Sequence, residues 1–104
     1  MSISDLVAYR RSGFIFMKES EIQKKIKTRL EEFGWIIVKL IQTNLNGIPD
    51  LLCLRNGVAV FIEVKSEDGE ISHLQLYRIE KIEEQNFKVI IATSLQDIEY
   101  LCKN

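Results

Sequence analysis

The sequence contains few histidine and cysteine residues, which build zinc sites, and few proline and glycine residues, which are abundant in low-complexity chains. It has one histidine, two cysteines, one proline and five glycines in 104 residues. Cys53 and Cys102 stand far apart, with no CxxC or Cys/His spacing, so no zinc-binding motif is present. The small number of proline and glycine residues, together with the lack of internal repeats, excludes a low-complexity chain.

Long hydrophobic runs and an excess of positive charge are also missing. No apolar run approaches the length of a membrane span, and the N-terminus lacks the charged-then-apolar pattern of a signal peptide. We therefore expect an intracellular protein without a membrane partner, located in the cytoplasm, or in the host-cell cytoplasm if viral. The formal net charge is -1, so any nucleic-acid binding must depend on a local patch or on the charge of a bound metal ion.

The residues present are those of one compact domain, with 46% hydrophobic and 28% charged side chains. The central feature is Asn56-Gly57, a typical two-residue hairpin turn, between two short apolar runs. We predict two antiparallel strands within residues 47–65. The turn predicts the pairs Arg55 with Val58, Leu54 with Ala59, Cys53 with Val60, Leu52 with Phe61, Leu51 with Ile62, and Asp50 with Glu63.

This register places two carboxylates, Asp50 and Glu63, side by side. Directly opposed residues have Cβ atoms about 4.5–5.5 Å apart, and like charges at that distance destabilise a sheet. Lys65 projects from the same face as Glu63, because residues two apart along a strand share a face. A divalent cation satisfies both carboxylates, and Mg²⁺ or Mn²⁺ keeps positions for water and phosphate oxygens. The pattern indicates phosphodiester hydrolysis.

Further elements flank the hairpin. Ile22, Ile26 and Leu30 recur at helical spacing and predict an amphipathic helix over residues 18–33, ended by Gly34. Glu19 falls within the apolar stripe of this helix, so we expect it on the buried face. The remaining predictions are a buried strand over 35–41, a helix over 72–85 with Ser72 and Gln75 as a capping box, a strand over 87–93 and a last helix from Ser94. The expected fold is α/β, a mixed β-sheet flanked by helices in the order α-β-β-β-α-β-α.

Three motifs together resemble those of one nuclease family. G-I-P-D, then E-V-K after a hairpin, then S-H-L-Q is similar to the VRR-NUC family of the PD-(D/E)xK superfamily, which has a restriction-endonuclease-like fold. The family's helical motif E-x-x-I-Q matches with Glu19 as the acid, and its S-x-x-Q motif matches with Gln75 as the glutamine. The resemblance covers residues 18–104 as a nuclease domain and leaves residues 1–17 as an N-terminal extension.

The resemblance implies a metal-dependent DNA endonuclease. Asp50 and Glu63 are then the Mg²⁺ ligands, with Mn²⁺ as a substitute, and the Val64 backbone carbonyl adds a ligand. Glu19 acts through a water or a second ion. Lys65 orients or helps to deprotonate the attacking water, and the products carry a 5'-phosphate and a 3'-hydroxyl. The implied catalytic set is Glu19, Asp50, Glu63, Lys65 and Gln75.

The resemblance also implies partners. Small domains of this kind resemble structure-specific nucleases that act on Holliday junctions or other branched DNA as homodimers. One active site cuts one strand, so paired cuts in a two-fold symmetric junction need two sites related by a similar symmetry. A catalytically silent nucleic-acid-binding module with a nuclease-like fold is the alternative, since fold does not fix function. A third interpretation treats Glu63 and Lys65 as an ordinary exposed pair on a strand of an unrelated α/β domain.

Several residues retain a second interpretation. Glu19 is also a first-turn glutamate of the kind that the helix dipole favours. Gln75 also serves as a helix cap, and we expect that one side chain cannot face both the helix terminus and the metal. In the extension, Ser4 starts a short helix to Arg11, and residues 14–16 form a strand or docking segment. This extension is a packing element, a basic arm or a dimer contact.

Overall fold

The computed structural model describes residues 17–104, which form a four-stranded sheet with helices on both faces. The predicted helix from Ser4 to Arg11 and the predicted strand or docking segment 14–16 lie outside the described residues. The elements are α1 (Glu19–Glu32), β1 (Ile36–Lys39), β2 (Leu51–Arg55), β3 (Val58–Val64), α2 (His73–Glu84), β4 (Lys88–Ala92) and a 3-10 helix (Leu95–Leu101).

The sheet is mixed, and its strand order is β1-β2-β3-β4. β1 pairs with β2 and β2 with β3 in antiparallel fashion, whereas β3 and β4 are parallel. A parallel pair needs a long crossover, and α2 provides it between β3 and β4. The predicted fold class, a mixed α/β sheet flanked by helices, is confirmed.

The hairpin has the predicted register. Asn56 and Gly57 adopt φ values of 50° and 78°, which are the left-handed values that a type I′ turn requires at both central positions. The observed pairs run from Arg55 with Val58 to Leu51 with Ile62. Asp50 and Glu63, the next residue on each strand, therefore lie side by side where the hairpin opens.

The hydrophobic core lies on one face of the sheet, beneath α1 and the 3-10 helix. Alternate residues of the strands face these helices, because side chains along a strand alternate between the two faces. Ile22, Ile26 and Leu30 of α1 are buried at helical spacing against this face. The other buried side chains of this core are Trp35, Leu51, Cys53, Val60, Ile62, Val64, Ile90 and Ala92, together with Ile98 of the 3-10 helix.

The other face of the sheet is only partly covered, which corrects the prediction for β1. Residues 35–41 were expected to form a buried strand, but β1 spans Ile36–Lys39, and Ile36 and Val38 are 65% and 39% exposed. β1 is an edge strand, and α2 packs against β4 at the opposite edge. The apolar residues of β1 therefore belong to an open sheet face.

The helices differ in type and length. α1 and α2 start and end within one residue of the predicted ranges, whereas the segment after Ser94 is a 3-10 helix of seven residues. Such tight turns are usual for short terminal segments. The Asp97 carboxylate fixes its start by accepting from the backbone N–H of Thr93 at 2.8 Å. Among residues 17–104, no helix is long and apolar enough to cross a membrane.

Candidate active site

Asp50 is fixed at the point where the chain enters β2. Pro49 before it is buried and lacks an N–H, a combination suited to the start of a strand. The Asp50 carbonyl accepts a hydrogen bond from the Leu40 N–H at 2.8 Å. Its carboxylate Oδ2 accepts another from the Val64 N–H, also at 2.8 Å. Both the backbone and the side chain of Asp50 are therefore held by neighbouring strands.

Glu63 is the one buried acidic side chain among residues 17–104, with 2% of its surface exposed. Its Oε2 accepts a hydrogen bond from Gln75 Nε2 at 3.0 Å and lies 3.9 Å from Lys65 Nζ. The other oxygen, Oε1, is buried, and no donor among the described residues reaches it. A buried polar atom without a partner is costly, so this oxygen is available for a ligand.

The environment of Glu63 disfavours its charged form. Its pKa is raised to about 7, chiefly by burial and next by the negative charge of Asp50. Lys65 opposes this rise, and the more distant charge of Glu19 adds to it. Without a cation beside Asp50, Glu63 is therefore partly protonated near neutral pH. A divalent cation between them would replace that proton.

Lys65 is placed by the end of the parallel strand pair. Its backbone N–H donates to the Ala92 carbonyl at 2.9 Å, which continues the pairing of β3 with β4. Its side chain is 14% exposed and lies beside Glu63 on the same face of β3. The ammonium group is thus held near the carboxylates but remains accessible from solvent, as a group that acts on a water or a phosphate must be.

Gln75 joins the start of α2 to Glu63, which corrects one expectation. Its Oε1 accepts from the Ser72 N–H at 3.0 Å, and its own N–H donates to Ser72 Oγ at 3.1 Å, completing a capping box. The Nε2 of the same amide donates to Glu63 Oε2. The expectation that one side chain cannot face both the helix terminus and the acidic site is wrong, because the two ends of the amide divide these tasks.

Glu19 lies at the site but is exposed, which corrects the expectation that it lies on the buried face. Glu19 is the first residue of α1, and the buried part of this helix begins about one turn further along, at Ile22. Glu19 Oε1 accepts from the Ser66 N–H at 3.4 Å. A Cβ at Gly69 would lie 3.2 Å from that oxygen, so the loop after β3 closes directly against Glu19.

The donor set fits a cation that keeps several water ligands. Within residues 17–104, no group of three His, Cys, Asp or Glu side chains lies close enough to hold a metal ion. Asp50 and Glu63 therefore provide a pair, with Glu19 further away. Mg²⁺ is usually bound by one or two carboxylates and retains several waters, so a carboxylate pair with one free buried oxygen suits it.

The helix termini add positive potential at the same place. Glu19 is the first residue of α1, and Gln75 lies in the first turn of α2. The N-terminus of a helix carries a partial positive charge that favours anions. The two helix starts therefore offset some repulsion between Asp50 and Glu63, and they favour an approaching phosphate.

All five predicted catalytic residues thus lie around the open end of the β2–β3 hairpin. The Val64 backbone is there too, although the observed contact involves its N–H, and its carbonyl stays a predicted ligand. Sequence reasoning missed Gly69, because no sequence motif indicates that this residue lies close to Glu19. The one available signal was a glycine within the charged turn S-E-D-G.

The chain is similar to known proteins both in sequence family and in structure. A family model described as the VRR-NUC domain matches residues 15–96, a range that includes all five residues at the hairpin opening. A solved structure described as "VRR_NUC domain" is similar with a TM-score of 0.73 and 33% sequence identity. That match covers 82% of this chain and 94% of the other. No curated protein matches the chain.

Proposed function

The chain belongs to the VRR-NUC family of nuclease-type domains, and on this basis we propose that it is a metal-dependent DNA endonuclease. The observation that carries the proposal is Glu63, a buried carboxylate beside Asp50 with one oxygen that no donor in the described part of the chain reaches. An arrangement with this desolvation cost is typical of a functional site rather than of a stabilising ion pair. The alternative, a catalytically silent binding module, does not explain why the Glu63 carboxylate is buried at this desolvation cost.

The proposed metal is Mg²⁺, with Mn²⁺ as a substitute. Asp50 and Glu63 would hold it through their carboxylates, the Val64 carbonyl would add a ligand, and Glu19 would contribute through a water. When bound, such a cation lowers the pKa of a water molecule and neutralises charge that develops on the phosphate. It would also supply the positive charge that a chain of net charge -1 lacks.

The chain's own groups have separate tasks in hydrolysis. The Lys65 ammonium, 3.9 Å from Glu63 Oε2, would orient the attacking water and stabilise negative charge on the phosphate oxygens. Gln75 fixes the Glu63 carboxylate through its hydrogen bond at 3.0 Å. The Val64 N–H does the same for Asp50. Attack on phosphorus with departure of the 3'-oxygen leaves a 5'-phosphate and a 3'-hydroxyl.

The proposed substrate is branched DNA, such as a Holliday junction, and the proposed active form is a homodimer. Two active sites related by a two-fold axis can cut two strands of a symmetric junction. The open sheet face supports self-association, because Ile36 and Val38 of the edge strand expose apolar side chains. Sedimentation of the parent chain and of an Ile36→Lys variant tests the dimer. A monomeric parent at micromolar concentration would contradict it.

Cleavage of labelled DNA tests the enzymatic proposal. Duplex, flap and four-way-junction DNA are incubated with Mg²⁺, Mn²⁺ or EDTA, and the parent is compared with Asp50→Asn and Lys65→Ala. Glu83→Gln, a change at an exposed carboxylate of α2, is the matched control. We expect metal-dependent cleavage by the parent and the control, and none by the two site variants. DNA binding without cleavage of any substrate would support the binding module instead.

A further inference from the structure

The side of α2 beside the loop of residues 40–47 exposes apolar and aromatic side chains. Leu74 and Tyr77 are 45% and 48% exposed, and Leu45 of the loop is 44% exposed. Ile79 is the buried residue of this helix, so the exposed side chains do not hold α2 to the sheet. We call the surface formed by Leu45, Leu74, Tyr77, Arg78 and Lys81 the α2 ledge.

The α2 ledge is one rigid surface, because the loop is locked against the helix. A Cβ at Gly47 would lie 2.8 Å from the Leu74 carbonyl oxygen, so the two backbones are in direct contact. Arg78 Nε donates to the Asn46 carbonyl at 3.0 Å. This bond fixes the guanidinium beside Tyr77, with Cζ at 5.4 Å from the ring centroid.

The α2 ledge adjoins the active site through the helix α2 and through the loop of residues 40–47. Leu74 directly precedes Gln75, whose amide holds Glu63. The loop runs through Gly47 and Pro49 directly into Asp50. A DNA strand whose phosphate lies at the carboxylates can therefore continue across α2 towards Tyr77.

The side chains around Tyr77 match the two parts of a nucleotide. Its ring offers an exposed aromatic surface, on which any base can stack. Lys81 Nζ lies 5.5 Å from the ring centroid and 3.4 Å from Glu84 Oε2. An exposed ion pair of this kind contributes at most about 1 kcal/mol, so Lys81 can exchange Glu84 for a phosphate. Aromatic surfaces next to cations are the usual elements of single-strand binding. Paired bases are stacked inside a duplex and cannot reach such a surface.

We propose that the α2 ledge is a binding site for an unpaired nucleobase next to the cleaved phosphodiester. Tyr77 stacks on the base, while Arg78 and Lys81 neutralise the adjoining phosphates. This inference rests on the proposed nuclease function, because it assigns the same DNA strand to both sites. It identifies Tyr77 as a residue that selects branched or single-stranded DNA over a continuous duplex.

The test measures binding without cleavage, in EDTA, so that it does not depend on catalysis. The probes are a flap DNA with 2-aminopurine at the first unpaired position and a continuous duplex of equal length. The variants are Tyr77→Ala, which removes the ring, and Tyr77→Trp, which keeps a stacking surface. Tyr100→Ala is the matched control, since Tyr100 is 47% exposed with Lys88 Nζ 5.4 Å from its ring centroid. Tyr100 lies in the 3-10 helix under the other face of the sheet.

We expect Tyr77→Ala to weaken flap binding about 5- to 100-fold, the loss of one base–aromatic contact, with little change for duplex. The 2-aminopurine fluorescence quenched by the parent should return in this variant and remain quenched in Tyr77→Trp. Equal weakening for flap and duplex, or equal weakening by Tyr100→Ala, would overturn the proposal. Unchanged flap binding by Tyr77→Ala would also overturn it.

A second variant tests the phosphate contact separately. Lys81→Gln should lower the slope of log affinity against log salt by about 0.7 for the unpaired strand, the value for one lost phosphate contact. An unchanged slope would refute the role of Lys81. Failure of the nuclease proposal would instead appear as absence of cleavage with Mg²⁺ while Tyr77-dependent flap binding in EDTA persists.

Discussion

Gln75 donates a hydrogen bond from Nε2 to Glu63 Oε2 at 3.0 Å, and the opposite end of the same amide accepts from the Ser72 N–H. The start of α2 and the buried carboxylate of β3 are thereby joined through one side chain. Rotating the amide by half a turn would place its oxygen against the Glu63 carboxylate and its NH2 group against an N–H. The hydrogen bonds to Glu63 and to Ser72 therefore both favour the observed orientation of the Gln75 amide.

Variants of the capping box separate the two tasks of Gln75. Ser72→Ala removes one cap hydrogen bond and should lower the free energy of unfolding by about 1 kcal/mol, with a small effect on cleavage. Gln75→Ala should cost a similar free energy and also reduce cleavage strongly, because Glu63 loses its donor. Urea unfolding and cleavage rates measured on both variants check this. Equal cleavage by the two would show that Gln75 acts only as a cap.

Glu63 makes the stability of the metal-free protein depend on pH. Between the ordinary pKa near 4.5 and the folded value of about 7, the folded protein keeps a proton that the unfolded chain has released. The free energy of unfolding therefore falls as pH rises through this window, by on the order of 1–3 kcal/mol. Glu63→Gln has no such proton, so its stability relative to the parent should rise with pH. Urea unfolding in EDTA at pH 5 and pH 8 measures the difference.

The sign of that difference is the decisive result. At pH 5 the parent and Glu63→Gln should have similar stability, because Glu63 is protonated and neutral in the folded protein. At pH 8 the variant should be the more stable of the two. A variant less stable than the parent at pH 8 in EDTA would show that Glu63 has an unidentified cationic partner.

Divalent cations should reverse this ranking. A ligand that binds only the folded protein stabilises it by about 2.7 kcal/mol at 100 times its dissociation constant. Mg²⁺ or Mn²⁺ should therefore raise the melting temperature of the parent by several degrees at pH 8. Neither Asp50→Asn nor Glu63→Gln should respond, whereas Glu83→Gln should behave as the parent. A response retained in Asp50→Asn would place the cation elsewhere.

Lys65 should be required for cleavage and dispensable for metal binding. Lys65→Met keeps the aliphatic stem of the side chain and removes the charge. We expect cleavage to fall by about 10²-fold or more, as for loss of a group that acts in the transition state. The melting shift with Mg²⁺ should persist, since Asp50 and Glu63 are intact. Single-turnover cleavage and melting curves together test this, and loss of the Mg²⁺ response would make Lys65 a structural residue.

Gly47 and Gly57 allow the contact between loop and α2 to be measured. Both have positive φ values, 80° and 78°, but a Cβ at Gly57 meets no atom within 4 Å. At Gly47 it would lie 2.8 Å from the Leu74 carbonyl. Alanine at either position costs about 1 kcal/mol of backbone strain, and Gly47→Ala should cost measurably more. Equal losses of unfolding free energy would mean that the loop moves away from α2 without cost.

Local rules were sufficient to predict the hairpin and the helices. Asn56-Gly57 requires two left-handed residues, which selects one turn type and thereby one register. From that register the neighbouring positions of Asp50 and Glu63 follow without any tertiary information. The capping pattern at Ser72 placed the start of α2 in the same way.

The remaining features depended on which elements cover which surface. β1 is apolar in sequence but is an edge strand, and its exposure follows from the position of α2 at the other edge. Glu19 shares its helix face with Ile22, yet Glu19 is exposed and Ile22 is buried. Helical periodicity gives the direction of a side chain, but burial requires a neighbour in that direction.

The two-residue turn at Asn56-Gly57 links the register of the active-site carboxylates to the register of the hydrophobic core. Inserting or deleting one residue at Asn56-Gly57 would shift the pairing by one position, and every side chain of one strand would exchange faces. Glu63 would then point into the space of Ile62, and Ile62 would face water. The same shift would empty the core. A one-residue register error that separates the two acids therefore removes the fold itself, so the population of well-folded but inactive molecules from this error should be negligible.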